Sequence, residues 1–218
     1  MLRIQTVLVA GLWVAAIPWL AIPPAAAVAQ SASPAASPAI NMDVALAERS
    51  LGDPAAPVTI FAYESFSCGH CAAFHAQVYD ELKTRYIDTG KVRFIYRDYP
   101  LNLPAEIASR IARCAAPDLF FGLAGILFRS QESWARANNP VFELGRIGRL
   151  AGMDTDRMEL CVNSTDLADG IEAIKAGGQL EYGVKTTPTF VIAGIAHEGE
   201  QSIDQFAAIL DPLIAAAQ

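Results

Sequence analysis

Alternation and helical spacing of apolar residues divide this chain into two kinds of segment. Residues 58–63 (VTIFAY) are a β-branched and aromatic run that predicts a buried strand. Beyond them Ala72, Phe74, Val78 and Leu82 recur at helical spacing between Cys71 and Tyr86, with Tyr79 beside them. Residues 88–91 (DTGK) are turn-like, and residues 92–97 (VRFIYR) predict a second strand, completing a βαβ unit. From Pro104 to about Tyr182 the strand pattern disappears. Residues 105–115, 119–131, 141–150, 155–161 and 167–181 read as helices, broken at Pro117, Pro140 and Gly152. The strand signal returns at 189–192 (TFVI), followed by an Ala193-Gly194 turn and a stretch, 195–198, that can pair back. A last helix from Ser202 to about Ala216 carries Phe206, Ile209, Leu210 and Leu213 on one face. The pattern is that of an α/β domain interrupted by an all-helical segment.

The N-terminus follows different rules. Arg3, an apolar run over 4–20 and the small-residue pattern Ala27-Val28-Ala29 predict a signal peptide at 1–29. The run is nearly long enough to remain as a membrane anchor, but Pro18, Pro23 and Pro24 favour cleavage. A Ser/Ala/Pro tract makes 30–42 a flexible linker. The folded unit is expected from Asp43, with a short helix over 45–48 and a turn at Gly52-Asp53-Pro54. Composition adds two limits. A net charge of −7 and a pI near 4.9, with no basic stripe, argue against a nucleic-acid partner. An even count of 4 cysteines suits the oxidising compartment that the leader implies.

The candidate chemistry lies in Ser67-Cys68-Gly69-His70-Cys71, where the first strand passes into the first helix. Two cysteines at this spacing can close a small disulfide or hold a metal, and the position favours the disulfide. Unpaired amides and the dipole at a helix start stabilise an anion, so the Cys68 thiolate is the expected nucleophile and Cys71, one turn in, the resolving thiol. His70 adds to this when protonated. His75 could complete a metal set with both cysteines, but a fourth ligand is missing nearby. The second candidate feature is Pro188, which opens a strand and is either an ordinary trans proline or a cis-proline facing the disulfide.

Taken together these segments resemble the thioredoxin fold, and specifically the periplasmic DsbA-like thiol–disulfide oxidoreductases. The matching residues are Gly52-Asp53-Pro54, Ala56-Pro57-Val58-Thr59-Ile60, the Cys68–Cys71 motif, Arg97-Asp98-Tyr99-Pro100-Leu101 and Thr186-Thr187-Pro188-Thr189-Phe190. The resemblance implies a thioredoxin-like core of 43–103 and 183–218 with a helical insertion over 104–182. It also implies a cis Pro188 beside the disulfide, with Thr187 and Gly69 meeting a bound peptide. No cofactor or metal is implied. Expected partners are unfolded or reduced secreted proteins and a DsbB-like inner-membrane reoxidase, the protein itself acting as a periplasmic monomer.

Departures keep the activity open between oxidase and isomerase or reductase, with a metal-binding module as the non-enzymatic alternative. Gly69-His70 is the dipeptide typical of protein disulfide isomerases, and Thr187 resembles the family's isomerases. The tract before the core is too short for the dimerisation domain such isomerases carry. Many relatives bury a carboxylate at the position of Ala62, whereas here Glu64 follows two residues later and reads as a solvated strand end. Some relatives carry a bridge in the insertion, so Cys114 and Cys161 are either a structural disulfide or two buried thiols. Phe120, Phe121, Phe128 and Trp134 fit a peptide groove or a core equally.

Overall fold

The computed structural model describes residues 39–217, so the signal peptide read at 1–29 and the linker as far as residue 38 lie outside the described residues. The linker reading ends too late. Asn41 already caps a helical turn, α1 (Met42–Ala45), by accepting the Val44 amide at 3.1 Å. The chain then forms β1 (Arg49–Leu51), β2 (Val58–Glu64), α2 (Gly69–Gln77), α3 (Tyr79–Leu82) and β3 (Val92–Asp98). The helix read as continuous from Cys71 to Tyr86 breaks at Val78 (φ −124°), which lets the Tyr79 ring turn onto His75 at 4.7 Å.

Strands β2 and β3 run parallel, with Ala62 opposite Tyr96 and Glu64 opposite Asp98. Both are mostly buried, which suits the apolar run of β2, while Arg93 and Arg97 of β3 lie half-buried. The sequence pattern gave no sign of β1. At three residues it is too short for alternation to register, and it exists because β3 offers an antiparallel ladder, pairing Arg49 with Tyr96.

The next stretch is helical: α4 (Leu103–Cys114), α5 (Phe120–Arg129), α6 (Gln131–Ala135), α7 (Pro140–Leu150), α8 (Thr155–Asn163) and α9 (Thr165–Tyr182). Asn102, Asn139, Asp154 and Ser164 cap four of these by accepting an amide two or three residues into the helix. Helix α9 lies close over the sheet. A Cβ at Gly178 would come within 2.3 Å of the Tyr63 ring, so only glycine permits that approach.

The chain returns through β4 (Thr189–Ile192) and β5 (Ile195–Glu198), and α10 (Ile203–Ala216) starts at a Ser202/Gln205 capping box. The mixed sheet has the order β1-β3-β2-β4-β5. One core cluster, around Ile60, Phe74, Phe94, Phe190 and Phe206, lies between the sheet, α2, α3 and α10. The other joins Phe66, Cys68, Cys71 and Tyr96 to Ile111, Phe120, Leu127 and Trp134 of the helical segment. The insertion therefore packs directly against the back of the cysteine motif. Phe120, Phe128 and Trp134 are 0–2% exposed, so they are core residues and not a groove.

Candidate active site

Cys68 is the N-cap of α2 and Cys71 lies in its first turn, because the β2 strand ends at Glu64 and the chain turns over Ser65-Phe66-Ser67. Cys68 Sγ faces the loop before β4, donating to the Thr187 carbonyl at 3.2 Å. The Thr187–Pro188 peptide bond is cis. That loop is held by the Thr189 hydroxyl donating to Thr186 O at 2.7 Å and by the Gly199 amide donating to Pro188 O at 2.8 Å. Gly199 is at φ +81°, a conformation that favours glycine.

The two thiols differ strongly. Cys68 is held at a pKa of about 5, first because the Cys71 thiol donates to its sulfur, which with the Thr187 side chain and the Cys71 and His70 amides outweighs burial. Cys71 is pushed well above the ordinary thiol value, first by its burial, then by that same hydrogen bond and by the nearby Glu64 charge. Both cysteines are unbridged, and Cys71 is completely enclosed. The arrangement offers one thiolate nearer the surface, 7% exposed, and one fully enclosed thiol beneath it.

The thioredoxin family profile matches residues 45–212. The crystal structure of Wolbachia pipientis alpha-DsbA1 superposes with a TM-score of 0.73 at 30% identity, covering 78% of this chain and 92% of that one. A protein-disulfide isomerase from Novosphingobium aromaticivorans gives 0.64 at 25% identity, with coverage of 78% and 96%. This chain belongs to the DsbA-like thioredoxin family. A Rickettsia felis protein named as a protein-disulfide oxidoreductase is 30% identical over 165 residues, 74% of this chain. This chain spans only 58% of that relative's length.

Around the cysteines the DsbA-like chain adds residues that its motifs did not reveal. Glu64, read as a solvated strand end, is fully buried, and its Oε2 lies 2.9 Å from His75 Nε2. The difference arises because α2 and the insertion roof the end of β2. The Phe128 ring of α5 stacks on the His75 imidazole at 4.0 Å with an interplanar angle of 14°. His75 is thus committed to Glu64 and is not placed as a third metal ligand. Asp98, beside Glu64 across the parallel ladder, takes its own cation: Arg113 Nε donates to its Oδ2 at 2.5 Å. Two buried carboxylates at neighbouring positions are tolerated because each has a separate partner.

Two more residues reach the motif from far along the chain. Gln131 Nε2 donates to Phe66 O at 2.7 Å and to Cys68 O at 2.9 Å, pinning the backbone that presents Sγ. Gly69 and Ser67 line a polar pocket of about 220 Å³ beside Gln131. Glu200, in the loop before α10, meets the exposed His70 at 2.6 Å and raises the imidazole pKa, chiefly through that hydrogen bond. His70 therefore points to solvent, from where it still interacts electrostatically with Cys68. A glutamine in a helix and a glutamate in a loop give no sequence signal for these contacts. Cys114 and Cys161 form a disulfide across α4 and α8, with their Cα atoms 6.2 Å apart. Among the described residues no helix is long and apolar enough to cross a membrane.

Proposed function

We propose that this protein is a thiol:disulfide oxidoreductase that acts as a disulfide oxidase on reduced secreted proteins in the periplasm. The asymmetry of the two thiols is the observation that supports it. A substrate thiolate attacks Sγ of Cys68 in the Cys68–Cys71 disulfide. A substrate–Cys68 bond forms as the Cys68–Cys71 bond breaks, and Cys71 leaves with the electron pair and takes up a proton. A second substrate thiolate attacks the substrate sulfur of this mixed disulfide, and Cys68 departs. A thiol with a depressed pKa leaves faster and makes its disulfide more oxidising. Thr187 and Gly69, on either side of Cys68, bind the substrate backbone, and Pro188 shapes that loop. The substrate loses two electrons and the enzyme gains two, so a DsbB-like membrane reoxidase must restore the disulfide. The thioredoxin-like core, 43–103 and 183–218, works as one monomeric unit with the helical insertion, 104–182.

Mass spectrometry after mixing each reduced variant with a peptide whose cysteine is already in a disulfide with glutathione tests the chemistry. The Cys68 thiolate of Cys71→Ser attacks the peptide sulfur, glutathione leaves as its thiol, and the mixed disulfide accumulates because no Cys71 resolves it, whereas Cys68→Ser never forms it. The same adduct on both variants, or on neither, overturns the reading. Gly69-His70 and Thr187 favour the isomerase as the second reading. Equilibration with glutathione separates the two: a potential near about −120 mV marks an oxidase, and one near about −180 mV an isomerase.

A further inference from the structure

The Glu64–His75 pair is more than a buried ion pair. When Cys71 leaves as a thiolate it must gain a proton, yet it is 0% exposed, and Glu64, whose charge acts on it, is 0% exposed as well. Glu64 Oε1 is buried with no hydrogen-bond partner, while Oε2 is bound to His75 Nε2 at 2.9 Å. A buried carboxylate oxygen without a partner is costly and calls for an explanation. His75 lies at a boundary. One edge of its ring meets Glu64, and its side chain is 8% exposed. The residue lines a cavity of about 320 Å³ together with Tyr79, Asp80, Tyr96 and Arg129, between α2, α3 and α5. Phe128 at 4.0 Å and Tyr79 at 4.7 Å hold the ring in plane, so its two nitrogens stay in fixed directions.

We propose that His75 is the proton relay of the resolving cysteine, passing protons between the cavity and Glu64, which exchanges them with Cys71. In the oxidising direction Glu64 protonates the departing Cys71 thiolate, His75 replaces that proton on Glu64 with its Nε2 proton, and the other ring nitrogen takes up a proton from solvent entering the cavity. Disulfide closure runs the same steps backwards. No further oxidant or reductant is involved. The charged and titratable groups that face the ring are Glu64 from β2, Asp80 and Arg129 at the cavity wall, and the phenols of Tyr79 and Tyr96. Burial raises the pKa of both phenols, so they keep their protons near neutrality.

This inference rests on the oxidoreductase reading, and the experiment keeps the two apart. Mixed-disulfide formation by oxidised wild type is timed by rapid quench with a reduced two-cysteine peptide; no reaction there overturns the oxidoreductase itself. With wild type reactive, His75→Ala is expected to slow the step by about 100-fold, the usual size of a proton-transfer contribution. Imidazole added to fill the vacated space is expected to restore most of the rate, while alkylation of Cys68 in the reduced protein keeps its wild-type pH profile. Glu64→Gln should slow the step similarly, and the double variant no further, as for groups acting as a unit. An unchanged rate in His75→Ala, or a loss that imidazole does not rescue, overturns the relay. Should His75→Ala fail to fold, the wild-type rate in deuterium oxide decides: no solvent isotope effect overturns the relay, and a normal one supports it.

Discussion

Burial does not distinguish the two cysteine pairs of this molecule. Cys68 and Cys71 are 7% and 0% exposed, Cys114 and Cys161 6% and 0%. Their positions on helices do distinguish them. Cys68 caps the start of α2, where free amides and the positive end of the dipole favour a thiolate. Cys114 is the last residue of α4 and Cys161 lies in the last turn of α8, where free carbonyls and the negative end disfavour one. A disulfide whose sulfurs leave poorly as thiolates resists exchange, and one whose sulfur leaves easily is labile. A helix start together with the hydrogen bond from Cys71 thus sets the unbridged pair apart from the bridged one.

The largest expected effect lies in the pH response of that division. Reduced Cys68 should alkylate with iodoacetamide with a midpoint near pH 5, far below the ordinary thiol value of 9, while Cys71 stays protected. The folded pKa is depressed, so the thiolate's contribution to stability is complete above about pH 9 and is lost as pH falls to about 5. Urea midpoints of the reduced protein should therefore rise relative to the oxidised protein across that window. A Cys68 midpoint near 9 would break the comparison outright.

Next in size is the structural pair. Replacing Cys114 and Cys161 by serine opens a loop with a sequence separation of 47 and should cost about 4 kcal/mol in urea unfolding, with the exchange rate retained. A variant that keeps its stability, or loses exchange while remaining folded, would show that the two pairs are not independent. Gln131→Ala comes third. It removes the donor from the Phe66 and Cys68 carbonyls and should cost about 2 kcal/mol in urea. A slower Cys68 alkylation in the same variant would place part of the reactivity in the insertion. The smallest effect belongs to the exposed His70–Glu200 pair. Glu200→Gln should lower the His70 pKa, read by NMR titration, and change exchange by only about two-fold, as solvent-screened ion pairs do.

Much of this was legible in the residues. The β-branched run before Cys68 and the helical spacing after Cys71 place the motif at a strand-to-helix junction, and the pattern beyond Pro104 announces the helices. Strand β1 escaped because three residues carry no period, and the break at Val78 because spacing alone does not show a turn of the helix axis. The site was legible only in part. Glu64 looked solvated because a strand's end says nothing about what roofs it, here α2 and Phe128 of the insertion.

By itself the sequence determined that Cys68 sits at the anion-stabilising start of a helix, because that junction is written in neighbouring residues. The tertiary structure alone decided what surrounds it. His75 meets Glu64 across 11 residues, Gln131 reaches the Cys68 carbonyl across 63, and Glu200 reaches His70 across 130. Local periodicity reports which face of an element is buried, whereas a partner at such separations is chosen by how whole elements pack.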